Sequence, residues 1–399
     1  MAPSIVILGG GFGGLHTALR LSEFPWSDGD RPNIVLVDQN PHFLFLPLLY
    51  ELVTNELDDW EIAPPFSELL ANTKVQFRQD TVQAIDLGQQ QIALHSGETL
   101  TYDRLVLALG GETPLNIVPG AAEHALPFRS LADAQQLKDR LQILEASDKD
   151  VIRVAVVGGG PSGVELACKL ADRLGSRGRI RLIERDDGLL KKSPAFNQTA
   201  AQKALDQRGV WINLDTTIQQ VNAMDLVLTY KEQEDTIPID LVLWTVGNAI
   251  APPLKDLPVP HTPDGRIRTD VTLQVTEHPN LFALGDLADS KDAYQKPVPT
   301  TAQSAIQQAD CVAWNVWASL SDRPLLPFRY THLGEMLTLG TDTAALAGLG
   351  VTLDGPFAYL ARRLIYLYRM PTLEHQLKVG LNWVFKPLLE VMRSASSNP

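Results

Sequence analysis

The chain contains a strand–glycine–helix unit twice, and this repeat constrains its fold more than any other feature. The first copy is an apolar run over residues 4–8, then Gly9-x-Gly11-x-x-Gly14, then residues 15–21 with apolar side chains at helical spacing. An apolar run that glycines end abruptly is typical of a strand buried on both faces of a parallel sheet. The sequence therefore predicts an α/β fold.

The second copy lies near the middle of the chain. Residues 154–157 are apolar, Gly158-x-Gly160-x-x-Gly163 follows, and residues 166–171 have helical spacing. The repeat distance, 149 positions from Gly9 to Gly158, indicates a duplicated domain unit and not a short-period array. We therefore expect two Rossmann-like dinucleotide-binding domains.

An apolar strand that ends in an acid follows each glycine motif, with Asp38 after the first and Glu184 after the second. In such βαβ units the glycines permit a tight turn, close approach of a pyrophosphate and close helix–strand packing, and the acid bonds a ribose. The helix N-terminus favours phosphate through its amides and its dipole. Two dinucleotides in one chain imply hydride transfer from a nicotinamide to a bound flavin.

Composition removes several classes of function. The net charge of −13 does not suit a general nucleic-acid-binding surface. The two cysteines, Cys168 and Cys311, are 143 positions apart, which excludes a CxxC redox pair, a disulfide scaffold and a cysteine-rich metal site, so no metal is predicted. No apolar run is long enough for a transmembrane helix, and the first residues read as a strand and not as a signal peptide.

A third motif supports a family resemblance. Residues 280–288 read as a strand that ends in Gly285-Asp286. Together with both glycine motifs, this resembles the glutathione-reductase-like flavoproteins with two dinucleotide-binding domains, in which the N-terminal motif holds FAD and the middle motif holds NAD(P)H. The resemblance implies that Asp286 bonds the ribityl–pyrophosphate region of FAD and that the segment ending Ala108-Leu-Gly110 closes over the flavin nucleotide. The alternative for Asp286 is a simple helix N-cap.

The same resemblance sets the expected domains. We expect an FAD-binding domain over residues 1–113 and 248–330 and an NAD(P)H-binding domain over residues 114–247. Residues 331–399 are expected to form a C-terminal membrane-association and dimerisation region.

Residues 42–51 resemble the loop and helix start of type II NADH:quinone oxidoreductases. Their sequence is His-Phe-Leu-Phe-Leu-Pro-Leu-Leu-Tyr-Glu. The resemblance implies that Pro47 and Leu48 lie near the isoalloxazine ring. Without it, the stretch is a hydrophobic helix start.

Gln303 and Gln307 are four positions apart, so on a helix they share a face, and their amides suit the carbonyl oxygens of a quinone. The Ala-Gln-x-Ala-x-Gln pattern is similar to the quinone-site helix of that family; the alternative is a solvated helix face.

Glu165 follows the second glycine motif and is expected in the first turn of its helix. It either interacts with the helix N-terminus or, as the resemblance implies, lies near the nicotinamide and flavin to orient NAD(P)H or relay protons.

Glu184 favours NADH, whereas the nearby cations suit NADPH, so the sequence does not rank the two nucleotides. Those cations are Arg181, Arg185 and Lys191.

The tail differs in charge from the rest of the chain. Residues 355–393 carry six basic and two acidic side chains, a net charge of +4, which leaves −17 elsewhere. Apolar residues fall at helical spacing in two stripes, and aromatic residues accompany them. Basic, aromatic amphipathic helices can lie in a membrane surface. The alternative is that both stripes pack on the protein or on a second subunit. The stripes are Phe357, Leu360, Leu364 and Leu367, then Leu373, Leu377, Leu381, Val384 and Leu388; the aromatic residues are Tyr359, Tyr366, Tyr368, Trp383 and Phe385.

The resemblance to type II NADH:quinone oxidoreductases covers essentially the whole chain, and is greatest for the cyanobacterial and plastid branch that acts on naphthoquinones such as demethylphylloquinone. It implies an FAD-dependent NAD(P)H:quinone oxidoreductase that does not pump protons and takes a naphthoquinone or plastoquinone. We expect a homodimer at the cytoplasmic or stromal face of a membrane. The alternatives are a sulfide:quinone-reductase-like flavoenzyme, which the positions of the cysteines disfavour, and an NAD(P)H-binding redox sensor or interaction flavoprotein.

Overall fold

The computed structural model describes residues 2–26 and 31–396, with side chains through residue 386. Within this part, the strands are β1 (Ser4–Leu8), β2 (Asn33–Asp38), β3 (Gln76–Gln79), β4 (Val82–Asp86), β5 (Gln91–Leu94), β6 (Thr99–Thr101), β7 (Arg104–Leu107), β8 (Gly111–Glu112), β9 (Ala125–Pro127), β10 (Ile152–Val157), β11 (Gly178–Ile183), β12 (Trp211–Asn213), β13 (Thr216–Val221), β14 (Asp225–Tyr230), β15 (Gln233–Pro238), β16 (Leu241–Trp244), β17 (Ala249–Ile250), β18 (Ile267–Arg268), β19 (Gln274–Val275), β20 (His278–Ala283), β21 (Ala288–Asp289), β22 (Glu335–Thr338), β23 (Ala344–Gly348) and β24 (Val351–Asp354).

The α-helices follow the same order. They are α1 (Phe12–Glu23), α2 (Tyr50–Val53), α3 (Asp59–Ile62), α4 (Phe66–Leu69), α5 (Ala121–His124), α6 (Leu131–Glu145), α7 (Pro161–Leu174), α8 (Ala195–Gln207), α9 (Pro252–Lys255), α10 (Ala302–Leu320), α11 (Gly355–Arg369) and α12 (Leu373–Ser396). Short 3-10 helices span Leu46–Leu48, Gly175–Arg177 and Gly285–Leu287.

The first compact unit comprises Met1–Pro47, Ala63–Pro114 and Gly247–His332. Its six-stranded sheet has the order β19-β20-β7-β1-β2-β3, and β1 pairs in parallel with β2 and β7. The apolar side chains of β1 are fully buried, as expected for the central strand of a parallel sheet. Helix α1, which follows the first glycine motif, packs against α10.

The second compact unit comprises Leu48–Ile62, Leu115–Val246 and Leu333–Pro399. Its five-stranded sheet, β12-β11-β10-β16-β9, is parallel throughout. The antiparallel sheets β13-β14-β15 and β22-β23-β24 belong to the same unit. Both units therefore have the α/β architecture that the duplicated motif predicts.

The extent of the units differs from the predicted domains in two places. The predicted boundaries near residues 113 and 248 lie within one or two residues of those in the structure. However, the second unit includes residues 48–62 and residues 333–399. The expected C-terminal region, which contains the tail, is therefore not a separate third region. Contacts between distant charged residues account for both differences.

One of these contacts is a buried ion pair between α2 and α11. Glu51 and Arg362 are both fully buried, and Arg362 Nη1 donates a hydrogen bond to Glu51 Oε1. Arg362 Nη2 also lies 3.9 Å from Glu165 Oε1 on α7. Burial opposes the charge on Glu51, but Arg362 and Lys169 outweigh it and lower the pKa of the Glu51 carboxyl.

A second buried cation repeats this arrangement. Lys169 on α7 is fully buried and donates to Glu56 Oε2, while the Tyr359 hydroxyl on α11 donates to Glu56 Oε1 at 2.6 Å. Arg173 donates to the Val53 carbonyl oxygen at 2.9 Å. Residues 48–62 thus lie between the second nucleotide-motif helix and the tail and are bonded to both.

Helix α12 is held by the buried Glu61. The Glu61 carboxylate accepts hydrogen bonds from Trp383 Nε1 at 2.7 Å and from Asn382 Nδ2 at 3.2 Å. His375 Nε2 donates to the Glu61 carbonyl oxygen at 2.8 Å. Both tail helices are therefore anchored by polar contacts on one face.

We predict that Arg362→Met destabilises the chain strongly, because it leaves Glu51 as an unpaired buried charge. Removing one partner of a buried pair costs about 3–5 kcal/mol, whereas replacing both partners with apolar residues costs much less. In urea unfolding, the double variant Glu51→Leu/Arg362→Met should therefore be more stable than Arg362→Met. Lys378→Met, which removes an exposed cation of α12, is the control and should change stability by less than about 0.5 kcal/mol. An Arg362→Met protein as stable as wild type would contradict the assignment.

Candidate functional site

The first glycine motif forms a loop that Asp38 holds in place. The Gly10 N–H donates to Asp38 Oδ2 at 2.6 Å, and the Gly9 N–H donates to the Val37 carbonyl oxygen at 2.8 Å. Asp38 Oδ1 accepts from the Asn40 N–H at 2.8 Å. The acid at the end of β2 therefore orders the loop, a contact that the ribose argument from sequence did not include.

The second motif has the same contacts. The Gly159 N–H donates to Glu184 Oε2 at 2.6 Å, and the Gly158 N–H donates to the Ile183 carbonyl oxygen at 2.8 Å. Glu184 Oε1 accepts from the Asp186 N–H at 2.9 Å. Sequence reasoning missed these bonds, although both motifs contain three consecutive glycines and the middle one donates to the acid.

Four glycines are required by the protein itself. Gly9 and Gly158 have φ values of +99° and +112°, which side chains strongly disfavour. A Cβ atom on Gly14 would lie 1.7 Å from the Gly9 carbonyl oxygen, and one on Gly163 would lie 1.8 Å from the Gly158 carbonyl oxygen. These positions allow each helix to start directly against its strand.

Gly11 and Gly160 have no such requirement within the chain. A Cβ atom on either residue would meet nothing within 4 Å. Each is the N-cap of its helix, α1 or α7, and makes no side-chain capping bond to it. Each helix N-terminus therefore has no capping side chain and has room beside its N-cap glycine, which fits the pyrophosphate of a dinucleotide.

Two further predicted flavin contacts lie in the first unit. The Ala108 carbonyl oxygen would be 2.3 Å from a Cβ atom on Gly9, so the segment from Ala108 to Gly110 lies against the glycine loop. Gly285 begins a 3-10 helix whose N-cap is Leu284, so the simple N-cap interpretation of Asp286 is wrong. The Gly285 N–H donates to Gln308 Oε1 at 2.9 Å, and this buried glutamine was not identified from sequence.

Pro47 and Leu48 lie in the 3-10 helix Leu46–Leu48, and α2 begins two residues later. The chain passes from the first unit to the second between them. The stretch is therefore a helix start, as both interpretations of the sequence require, and the Leu48 side chain is fully buried.

Gln303 and Gln307 both lie on α10, and the side chains of both contact residues 330–331. Gln303 Oε1 accepts from the Tyr330 hydroxyl at 3.0 Å. Gln307 Nε2 donates to the Thr331 carbonyl oxygen and Oε1 accepts from the Thr331 N–H, both at 2.9 Å. The structure thus adds Tyr330 to this site and shows that Gln307 binds backbone. Sequence spacing gave no signal for either contact.

Glu165 lies in the second turn of α7 and not in the first. The helix begins inside the glycine motif, at Pro161, so Glu165 is its fifth residue and the predicted position is wrong. Its Oε1 atom accepts from the Thr338 N–H at 2.8 Å. Burial outweighs Arg362 and this hydrogen bond and raises the pKa of the Glu165 carboxyl to about 8. Glu165 is therefore mainly protonated at neutral pH.

Neither cysteine has the properties of a reactive thiol. Cys168 is buried in α7 and Cys311 is half-buried in α10. Burial raises the pKa of each thiol to about 12, whereas reactive cysteines have lowered values. Among the residues described, no cluster of His, Cys, Asp and Glu suits a metal ion, and no helix is long and apolar enough to cross a membrane.

We call each glycine motif, together with its acid and its helix N-terminus, a nucleotide cradle. The match to a known family is consistent with these two cradles. The family model described as pyridine nucleotide-disulphide oxidoreductase matches residues 3–309. The chain therefore belongs to the pyridine nucleotide-disulphide oxidoreductase family. It is an oxidoreductase, and it lacks the paired cysteines to which the family name refers.

Its relatives are more specific. The chain is 55% identical to demethylphylloquinone reductase NdbB of Synechocystis sp., with 99% of each chain covered. It is 43% identical to the alternative NAD(P)H-ubiquinone oxidoreductase C1 of Arabidopsis thaliana, covering 99% of this chain and 83% of that protein. The solved structure of NDH2 from Plasmodium falciparum in complex with NADH has a TM-score of 0.85 at 17% identity, covering 96% of this chain and 98% of that one, and shows the shared fold. The predicted membership of the type II NADH:quinone oxidoreductases is confirmed.

We predict that Glu165→Gln changes how stability depends on pH. Because the pKa of Glu165 is raised from 4.5 to about 8, the folded chain binds more protons than the unfolded chain between these values. This carboxyl therefore makes stability fall as pH rises through that window and level off above it. In urea unfolding across this range, Glu165→Gln should gain on wild type as pH rises. Glu123→Gln, at an exposed glutamate of the same unit, is the control; an unchanged difference between Glu165→Gln and wild type at all pH values would refute the assignment.

Proposed function

We propose that the chain is an FAD-dependent NAD(P)H:quinone oxidoreductase with a naphthoquinone-class acceptor. The observation that carries the proposal is the pair of matched cradles, one in each unit, each with an uncapped helix N-terminus. The absence of a reactive thiol pair removes the dithiol acceptor used elsewhere in the family, and the full-length likeness to a demethylphylloquinone reductase favours a naphthoquinone.

The residues of each cradle have separate roles in this proposal. When bound, FAD accepts a hydride from the nicotinamide and passes two electrons to the quinone. In the first unit, the N–H groups at the start of α1 hold its pyrophosphate, while Asp38 and Asp286 hold its ribose and ribityl regions. Pro47 and the segment from Ala108 to Gly110 would line the flavin ring. In the second unit, the start of α7 and Glu184 hold NAD(P)H in the same way.

We propose that NADH is preferred over NADPH. Glu184 would repel a 2′-phosphate. The three cations that suit NADPH each have a partner: Lys191 Nζ lies 2.7 Å from Asp187 Oδ1, Arg185 Nε lies 3.8 Å from Asp186 Oδ1, and Arg181 stacks over the Trp211 ring at 4.6 Å. If one of these cations bound the 2′-phosphate of NADPH, it would lose its present contact with its carboxylate or aromatic partner.

On the acceptor side, we assign the quinone carbonyl contact to Gln303 together with the Tyr330 hydroxyl that donates to it. Gln307 acts as a positioning residue, because its amide holds Thr331 and so places Tyr330. Glu165, which carries a proton at neutral pH, either orients NAD(P)H or relays protons within the nicotinamide-binding unit.

We predict that the double variant Gln303→Ala/Gln307→Ala impairs quinone reduction by the FAD-loaded protein and leaves anaerobic flavin reduction by NADH intact. Loss of one buried or site hydrogen bond costs about 1–3 kcal/mol, so we expect a tenfold or larger fall in kcat/KM for the quinone. Gln202→Ala, on α8, should leave both steps unchanged. Steady-state rates with NADH and NADPH against naphthoquinones and benzoquinones provide the measurement. Equal loss of both steps would count against this quinone site, and a higher kcat/KM for NADPH would refute the nucleotide preference.

We also propose that α11 and α12 bind a membrane surface through one apolar stripe, the tail stripe. Its exposed members are Phe357, Leu360, Leu364, Tyr368, Leu373, Leu377, Leu381, Val384 and Phe385. Tyr359 and Trp383 do not belong to it, because they bond Glu56 and Glu61; the side chain of Leu388 lies outside those described. Exposed apolar residues at helical spacing along two consecutive helices are typical of helices that lie in a membrane interface.

The charge of the tail contributes less than the sequence suggests. Arg362 is buried with Glu51, the Arg363 guanidinium stacks over Trp383 at 4.7 Å, and Lys386 lies 3.0 Å from Asp58. These three of the six tail cations are thus buried or held by a contact, so the surface charge is smaller than the net +4, and we expect apolar burial to dominate membrane binding.

We predict that Leu360→Ser/Leu364→Ser lowers partition into phospholipid vesicles by at least tenfold, because each buried leucine contributes about 1.5–3 kcal/mol. Surface substitutions test this better than removal of the tail, which would also remove Arg362. Ile143→Ser, at an exposed residue of α6, is the control. Unchanged partition would reject the membrane role. Loss of a dimer in sedimentation without loss of partition would instead assign the tail stripe to the expected homodimer contact.

A further inference from the structure

The hairpin that joins β23 to β24 has an unexpected residue in its turn. Leu349 and Gly350 have φ values of +52° and +79°, the pattern of a two-residue type I′ turn. Asparagine, aspartate and glycine are preferred at these positions because they tolerate positive φ. A leucine there is strained, so local backbone preference does not explain Leu349.

Burial does not explain it either. Leu349 is 77% exposed, and Val351 and Leu353 on β24 are 51% and 37% exposed. Strand β24 is at the edge of its sheet, where soluble proteins usually place charged residues or proline. The eleven residues 343–353 contain no charged side chain. An uncharged apolar tip in a disfavoured conformation is expected where an external partner covers it.

We propose that this hairpin tip, defined as Leu349, Val351 and Leu353, inserts into a lipid bilayer and provides a membrane contact in addition to the tail stripe. The inference rests on the proposed membrane association. The tip is continuous in sequence with the tail stripe, since β24 leads directly into α11 and Phe357 follows Leu353 by four residues. A stable protein interface needs about 800 Å² of matched surface on each partner, which three side chains do not supply, whereas fluid lipid accommodates any protruding apolar group.

The turn allows a test in which fold stability and lipid binding change in different directions. Leu349→Asn places a preferred residue in the turn, so its urea-unfolding midpoint should equal or exceed that of wild type. Its partition into vesicles of phosphatidylcholine with a minor fraction of phosphatidylglycerol should fall about tenfold, which corresponds to about 1.4 kcal/mol. Loss of binding without loss of stability would distinguish insertion from a structural role.

Met224→Asn is the matched control. Met224 is 72% exposed in the connection between β13 and β14 of the same unit, so the substitution removes a comparable apolar side chain from another hairpin. Its vesicle partition should equal that of wild type. Both variants should reduce a water-soluble quinone analogue at the wild-type rate, because neither residue is in a nucleotide cradle or in the quinone site.

Several outcomes would overturn the inference. If Leu349→Asn partitions like wild type while Leu360→Ser/Leu364→Ser does not, the hairpin tip is not inserted and the tail stripe alone binds lipid. If neither variant loses binding, the proposed membrane association fails as well. Equal loss with Met224→Asn would indicate a general effect of surface apolarity. Loss of a dimer in sedimentation, with partition unchanged, would assign the tip to a second copy of the chain.

Discussion

The second unit depends on the buried contact of Arg362 with Glu51 and Glu165. A guanidinium and a carboxylate with no exposure to solvent are unfavourable unless they pair with each other, so this contact must form for the unit to close. Its members come from α2, α7 and α11, and Glu51 and Arg362 are 311 positions apart. The tail is consequently part of the nucleotide-binding unit. Burial raises the pKa of the Glu165 carboxyl, and Arg362 on a tail helix partly opposes this rise.

The two glycine motifs have the same local structure. In each, the acid at the end of the second strand fixes the middle glycine, the first and third glycines allow the helix to start against its strand, and the remaining glycine leaves the helix N-terminus open. In the proposed function, this arrangement would hold a phosphate through backbone N–H groups. Matched cradles in two units are what a chain needs to bind a flavin and a nicotinamide.

Much of this was predictable from sequence, because it depends on local pattern. Apolar runs, glycine spacing and terminal acids identified β1, β2, β10 and β11. The family resemblance placed the domain boundaries near residues 113 and 248 within two residues of those in the structure. The errors arose where distant residues meet. The burial of Arg362 and the place of residues 48–62 follow from ion pairs that no window of sequence contains. A count of basic residues likewise does not separate a buried guanidinium from a surface charge, which is why the tail appeared more basic than its surface is.

The tail and the hairpin tip leave apolar side chains in solvent, although α11 buries the charged Arg362 on its other side. This is the reverse of the usual distribution in a soluble domain, and the proposed membrane contact rests on it. Under the proposed membrane association, the tail would bring the chain to the membrane in which a lipophilic quinone is dissolved.

The central claim is that the flavin is a relay between two substrates. Anaerobic stopped-flow absorbance of the FAD-loaded protein tests it most directly, with NADH mixed first and a naphthoquinone second. The account predicts that NADH bleaches the flavin absorbance in a single step and that the quinone restores it at a rate no slower than turnover. A flavin that NADH reduces but that no naphthoquinone or benzoquinone reoxidises would contradict the account and favour a redox sensor.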